Sequence, residues 1–296
     1  MGMLVVNYCI MEQAITLRKL RKVFRSGSVR VTTVQALEGL NLEVRPGEVF
    51  GLLGPNGSGK STTIKICLDL VRPTSGDCLV FGGKPSNPES RRRIGYVPEA
   101  PFFYGYLSGE ALVQSMGRFS GLTGADLEKR TSEVIATVGL NGAEGRPIRT
   151  YSKGMLQRLG LAQALVHDPD LIILDEPTAG VDPIGAREIT ELIRLLKSKG
   201  KTVLLCSHLL SQVESVCDRV AILHRGRMIA EGTMDSLLQR TAHRPSLVYK
   251  SQQDLDEGRR LAEKAGISVS DGVGYERSLE EVFIDLVREG GEEAVL

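Results

Sequence analysis

The sequence predicts an α/β fold: a mostly parallel sheet with helices between its strands, a helical insert, and a small α/β extension at the C-terminal end. Three observations carry the prediction. Short β-rich segments alternate with helical patterns over most of the 296 residues. Leu171–Leu174 and Thr202–Cys206 are apolar runs of the kind found in strands buried on both faces of a parallel sheet. Leu107–Leu140 then breaks the alternation with helical periodicity alone.

Taken in order, residues 1–13 read as an N-terminal tail. Met3–Met11 is mildly apolar but carries Asn7 and has neither a basic leading segment nor a small-residue cleavage site. No signal peptide is expected, and a start at Met11 would leave the residues before it as a tail. Leu40–Val44 and Glu48–Leu53 read as strands around a Pro46-Gly47 turn. The helix after the next glycine-rich loop puts Ile64, Leu68 and Val71 on one face. Leu79–Phe81 and Ile94–Val97 read as further strands, separated by a basic helix or turn around Arg91–Arg93. In the insert, Leu127, Val134, Ile135 and Val138 share one side, and Gly121 and Gly124 lie between two helices. A helix after Gly154 carries Met155, Leu159, Ala162 and Val166 in register.

Asp182-Pro183 supplies an N-cap and a first-turn proline for a helix bearing Ile189, Leu192, Ile193 and Leu196. Val220–Leu223 and Met228–Ala230 read as a hairpin around Arg225-Gly226. From residue 241 the pattern weakens into a small module. Ser246–Lys250 and Ile267–Val269 are candidate strands, and Leu255–Ala265 is a candidate helix. A last helix starts at Ser278, with Glu281 completing a capping box and Leu279, Val282, Phe283 and Leu286 on one face. Gly290–Leu296 is expected to fray. No internal repeat is visible.

Composition bounds the function. Apolar residues make up 42% and charged residues 25%, which excludes disordered and fibrous chains. Lys+Arg at 37 against Asp+Glu at 36 leaves +1, so no global basic field points to nucleic acid, and none is expected as a partner. No run approaches the roughly 18 apolar residues of a membrane helix. The five cysteines (Cys9, Cys67, Cys78, Cys206, Cys217) form no CxxC pair and read as free thiols in a reducing compartment. These features together read as a soluble intracellular globular protein.

Gly54-Pro55-Asn56-Gly57-Ser58-Gly59-Lys60-Ser61 matches the phosphate-binding loop, and it lies between a strand and a helix as the mechanism demands. Its glycines let consecutive N–H groups face a phosphate, and the helix N-terminus adds its dipole. Lys60 is placed to reach the β- and γ-phosphates, Ser61 to ligate Mg²⁺, and Thr62 to donate to an α-phosphate. The chain is therefore expected to bind a nucleoside triphosphate on a P-loop NTPase core. Leu171–Leu174 puts Asp175 at the carboxyl end of a buried strand, where it can hold Mg²⁺ or its water. Glu176 follows as the acceptor of a proton from attacking water. Without the phosphate loop, such a pair would read as charges ending a strand.

Between these elements lies Tyr151-Ser152-Lys153-Gly154-Met155-Leu156-Gln157-Arg158, which resembles the signature motif of ATP-binding cassette proteins, in a variant found among bacterial transporters with a separately encoded permease. Ala179-Gly180-Val181-Asp182 is similar to that family's D-loop, His208 to its switch histidine, and Val97-Pro98-Glu99 falls at its Q-loop. The resemblance covers about residues 14–240, and the segment Ser278–Phe283 resembles the C-terminal extension of these transporter ATPases.

That resemblance implies an N-terminal antiparallel β subdomain, a nucleotide-binding domain over 14–240 with its helical insert at about 104–150, and an accessory domain over 241–296. It implies ATP and Mg²⁺ as cofactors, and a homodimer or paired ATPase subunit. Ser152 and Gly154 would form a second anion site for the γ-phosphate held by the other subunit. His208 would bond the γ-phosphate and orient Glu176 or the water. Asp182 would act in the D-loop, with plain helix capping as its other role. Phe24 is the candidate adenine-stacking residue, with a core aromatic as the competing reading. Glu99 stands where the family usually has glutamine and would reach the metal or its water, against a reading as a solvated loop acid. Lys153 and Met155 replace a glycine and a glutamine of the commonest signature.

The implied activity is ATP hydrolysis coupled to transport through membrane-embedded permease subunits, with export implied by the branch, on the cytoplasmic face of the cell membrane. The insert and the stretch Glu99–Tyr106 would form the coupling surface. Phe102, Phe103, Tyr104 and Tyr106 there read as a groove for a permease helix or as packing under the insert. A soluble ATPase of the same fold acting on a ribosome, nucleic acid or protein complex is the alternative. It is disfavoured by the single cassette, the balanced charge and the lack of a long coiled-coil insertion. A phosphotransferase would leave Ser152–Gly154, Glu176 and His208 unexplained together.

Overall fold

The computed structural model of the chain describes residues 12–26, 32–240, 252–264 and 279–292. The chain divides into two compact units, Met1–Thr233 and Met234–Leu296.

The first unit holds two sheets. One is antiparallel, in the order β2-β1-β4, from β1 (Ile15–Ser26), β2 (Thr32–Val44) and β4 (Ser75–Val80). The other has six strands in the order β5-β6-β7-β3-β8-β9: β3 (Val49–Leu53), β5 (Ile94–Val97), β6 (Leu171–Asp175), β7 (Thr202–Cys206), β8 (Arg219–His224) and β9 (Arg227–Thr233). Its strand pairs are parallel except β8 with β9, which form a hairpin. At the tip Arg225 (φ 46°) and Gly226 (φ 81°) both take positive φ, the requirement of a two-residue type I′ turn. Every residue of β3, β6 and β7 is buried, which is why these segments read as apolar runs.

The strands expected on either side of Pro46-Gly47 exist, but they lie in different sheets. β2 pairs with β1, whereas β3 pairs with β7 and β8. The long hairpin of β1 with the first half of β2 has no clear sequence signal. Its register shifts between Leu17 and Val23 break the alternation of inward and outward residues.

Helix α1 (Lys60–Cys67) is shorter than the periodicity suggests. Leu68 is its C-cap, Asp69 turns at φ 59°, and Leu68 and Val71 still pack against the core from outside the helix. A short α2 (Pro88–Arg92), capped by Asn87, fills the basic segment. The insert forms α3 (Gly109–Phe119) and α4 (Gly124–Thr137), which pack on each other and on α5 (Lys153–Leu165) through buried Leu127, Val134 and Ile135. Helices α6 (Pro183–Ser198) and α7 (Leu210–Val216) flank β7. Cys67, Cys78, Cys206 and Cys217 are free and buried; Cys9 lies outside the described residues.

In the second unit, α8 (Met234–Arg240), α9 (Gln252–Lys264) and α10 (Leu279–Glu292) are described, and α8 packs on α10 with Leu237, Leu279 and Val282 buried. A division at residue 240 would put α8 with the first unit; it belongs to the second. The helix expected at Leu255–Ala265 is α9, shifted toward the N-terminus. Helix α10 runs to Glu292, past the Gly290 at which fraying was expected. The candidate strands Ser246–Lys250 and Ile267–Val269 and the cap at Ser278 lie outside the described residues. No helix among the described residues is long and apolar enough to cross a membrane.

Candidate functional site

The parallel strands bring their carboxyl ends to one edge, and the phosphate-loop residues, Glu99, Asp175, Glu176 and His208 follow from there. After β3, the chain crosses residues 54–59 and enters α1. A Cβ on Gly54 (φ 151°) would collide with the Leu223 carbonyl, and one on Gly59 (φ 111°) would lie 2.8 Å from the Ala36 carbonyl. Both positions therefore require glycine. The loop is pinned by Ser58 N–H to Pro55 O (3.1 Å) and by Gly226 N–H to Ser58 O (2.9 Å). Gly59 is the N-cap of α1 and offers no side-chain acceptor, so the first-turn N–H groups point into the loop. The buried Lys60 folds back over this concavity, its Nζ donating to the carbonyls of Gly54 (2.6 Å) and Pro55 (3.4 Å). Asn56, Gly57 and Ser61 are exposed, and Pro55 and Thr62 half-buried, along the rim.

Asp175 ends β6 and is buried. Burial raises its carboxyl above the ordinary range, and the charges of Glu176 and Glu99 push the same way against Lys60 and Lys65. Tyr96, on the neighbouring strand, has its phenol pushed up to about 12 by burial and then by Asp175.

Glu176 has a left-handed backbone (φ 49°), a strained conformation for a residue with a side chain. Its N–H donates to Cys206 O on β7 (2.8 Å), and its Oε2 accepts from the His208 N–H (3.2 Å) and pairs with His208 Nδ1 (2.7 Å). An ionised carboxylate can only accept, so Nδ1 carries the proton in this pair. Glu99 is exposed, and its carbonyl accepts from Nε2 of the buried Gln157 on α5 (2.7 Å).

Ser152 caps α5, accepting from the Met155 N–H (3.2 Å). Asp182 caps α6, accepting from Ile184 (3.1 Å) and Gly185 (3.0 Å). These two caps are neighbours: a Cβ on Gly154 would meet Val181 at 3.3 Å, and one on Gly180 would collide with the Lys153 ammonium. This second group forms no hydrogen bond or ion pair with Lys60, Asp175, Glu176 or His208. Phe24 lies on β1 with 40% of its surface exposed and the Lys22 ammonium 4.8 Å from its ring centre, so it is not a core aromatic. Phe102, Tyr104 and Tyr106 are exposed and lie edgewise or tilted against one another, while Phe103 is half-buried.

The sequence reading overlooked Thr178, Ser207 and Gln212, which form a buried polar cluster behind Glu176 and His208. It also gave no role to Gln157, which holds the Glu99 backbone. Nothing in their spacing announces the contacts.

The sequence profile of the ABC transporter family matches residues 37–179. An ABC transporter ATP-binding protein of Nostoc sp. is 43% identical over 228 residues, covering 76% of this chain and 68% of that one. The daunorubicin/doxorubicin resistance ATP-binding protein DrrA of Streptomyces peucetius is 41% identical over 220 residues, covering 73% and 67%. The chain spans about two thirds of the length of these curated relatives, and 63% of two others. Among solved structures, an ATP-binding subunit of an ABC transporter superposes with a TM-score of 0.69 at 28% identity, covering 92% of this chain and 99% of that one. The ATP-binding cassette MJ0796, dimeric and bound to ADP and Pi in a post-hydrolysis state, superposes with a TM-score of 0.67 at 26% identity, covering 74% and 98%. At these identities and coverages, the chain belongs to the ABC transporter ATP-binding proteins.

Proposed function

We propose that two copies of this chain, an ATPase of the ABC class, close around two ATP molecules and in doing so drive a separate membrane permease, in the direction of export. The observation that carries the reading is the convergence at one sheet edge of Lys60 after β3, Asp175-Glu176 after β6 and His208 after β7. Lys60 and the loop N–H groups bind the β- and γ-phosphates. Glu176 takes a proton from a water whose oxygen attacks the γ-phosphorus, and the bond to the β,γ-bridging oxygen breaks to give ADP and phosphate. His208 Nδ1–H holds the carboxylate; the γ-phosphate oxygens only accept, so Nε2 bonds them when that nitrogen also carries a proton. Phe24 stacks on the adenine.

The residues present fit Mg²⁺. The buried Asp175 carboxyl feels repulsion from Glu176 and Glu99 that Lys60 and Lys65 offset only in part, and Ser61 adds a hydroxyl oxygen. A site of one or two protein oxygens completed by phosphate and water is what Mg²⁺ takes. When bound, the ion would neutralise charge on the β- and γ-phosphates.

Ser152, Gly154 and Asp182 form no hydrogen bond or ion pair with the Lys60 group, and a similar cassette is dimeric; both support their acting on nucleotide held by a second copy. The exposed aromatics Phe102, Tyr104 and Tyr106 beside Glu99 support a docking surface for a permease helix, which would keep the protein on the cytoplasmic face of the membrane. The name of the drug-resistance relative supports export. The test is an affinity pull-down of the Glu176→Gln variant with Mg-ATP from detergent-solubilised cells. A co-purifying multi-spanning membrane protein is expected. Ribosomes, nucleic acid or soluble complexes without a membrane protein would overturn the coupling to a permease.

A further inference from the structure

Glu176 holds a backbone conformation that its own side chain disfavours, so something beyond the local chain must keep the turn and the switch loop in place. We infer that Gln212 is the positioning residue for hydrolysis, because its amide ties the segment after Glu176 to the segment before His208.

Thr178, two residues past Glu176, donates its hydroxyl to Gln212 Oε1 (3.0 Å), and Ser207, one residue before His208, donates to the same oxygen (3.3 Å). The Ser207 hydroxyl also accepts the Leu209 N–H (3.0 Å), which fixes the chain on the far side of His208. All three polar side chains are buried, at 4%, 0% and 8% exposure for Thr178, Ser207 and Gln212. Gln212 is anchored by α7, whose next residue, Val213, is fully buried.

One amide oxygen thus joins the turn carrying the proposed base, the loop carrying its histidine partner, and a packed helix. The amide nitrogen of Gln212 is buried and has no partner among the described residues. The amide oxygen is the shared acceptor of two buried hydroxyls, so an apolar residue in place of Gln212 would leave both unpaired and uncouple the two segments. Gln212 touches neither substrate nor metal in this scheme. It acts by keeping Glu176 Oε2 within reach of both His208 donors.

The inference rests on hydrolysis by the wild-type protein, which is measured first; a wild type without turnover would refute that reading rather than this one. In Gln212→Leu, kcat should fall about 10- to 100-fold, the cost of an ångström-scale misplacement of a catalytic group, with Kd for ATP within about twofold of wild type. Thr178→Val, nearly isosteric, should show the same split, and Thr178→Ser should restore most of the lost turnover. The double variant Thr178→Val/Gln212→Leu should be no slower than the slower single, because both remove one connection. Wild-type kcat in Gln212→Leu, or ATP affinity falling in step with kcat, would overturn the assignment. Should Gln212→Leu fail to fold, the Thr178 pair decides it: equal kcat in Thr178→Val and Thr178→Ser would overturn it.

Discussion

Arg219 sits at the start of β8, at the end of the sheet away from the phosphate loop, and joins two carboxylates. Its Nη1 bonds Glu48 at 2.9 and 3.3 Å, its Nη2 bonds Glu231, and its guanidinium lies 5.2 Å from the Phe50 ring centre. Side-chain exposure is 14% for Arg219, 9% for Glu48 and 25% for Glu231, so the cluster is largely out of water. Glu48 immediately precedes β3, and Arg219 pairs with Phe50 on that strand, so the cluster locks the strand that delivers the loop to its neighbour. Arg219→Met would leave two carboxylates without their cation. Removing one partner of a buried pair costs about 3–5 kcal/mol, which at about 2–4 °C per kcal/mol lowers Tm by roughly 6–20 °C for a unit of this size. The triple variant Arg219→Met/Glu48→Gln/Glu231→Gln removes the stranded charges and should regain most of the loss. Calorimetric or fluorescence melting at neutral pH measures all three proteins. A single variant melting within about 2 °C of wild type, or a triple variant as unstable as the single, would refute the reasoning.

Two further predictions concern the site. Asp175 has a carboxyl raised above its ordinary value by burial and by Glu176 and Glu99, so its ionised form destabilises the folded state above that range. Asp175→Asn should therefore raise Tm at neutral pH without nucleotide. The advantage should vanish as pH falls below the ordinary carboxylate value, where aspartate is protonated in both folded and unfolded protein; an equal gain at both pH values would contradict the cause given. Lys60→Ala should abolish ATP binding in equilibrium titration while leaving the fold intact by circular dichroism, and near-normal affinity would undermine the phosphate-loop assignment.

Much of the core was legible because its signals are local. The strand–glycine loop–helix run at 49–67 is contained in neighbouring residues, as are the apolar strand before Asp175, the Asp182-Pro183 cap and the Arg225-Gly226 turn. Strand order was not: Leu40–Val44 and Val49–Leu53 adjoin in sequence but enter different sheets, because β3 is completed by strands some 150 residues later. Strand β1 was hidden by bulges and by its run of basic residues. In the site, residue types showed which groups could do chemistry but not their support. Thr178, Ser207 and Gln212 are ordinary residues whose meeting depends on β6, β7 and α7 packing together. The positive φ of Glu176 leaves no mark in a sequence that uses no glycine there.

The most direct test of the account is turnover and self-association of Glu176→Gln in Mg-ATP, with ATPase rate, ATP affinity and sedimentation measured on one preparation. Loss of a positioned general base predicts a rate lower by about 10²–10⁴-fold. The Lys60 loop predicts retained ATP affinity, and the separated Ser152/Gly154 group predicts an ATP-dependent dimer. Turnover within a fewfold of wild type, or a protein that stays monomeric with ATP bound, would contradict it.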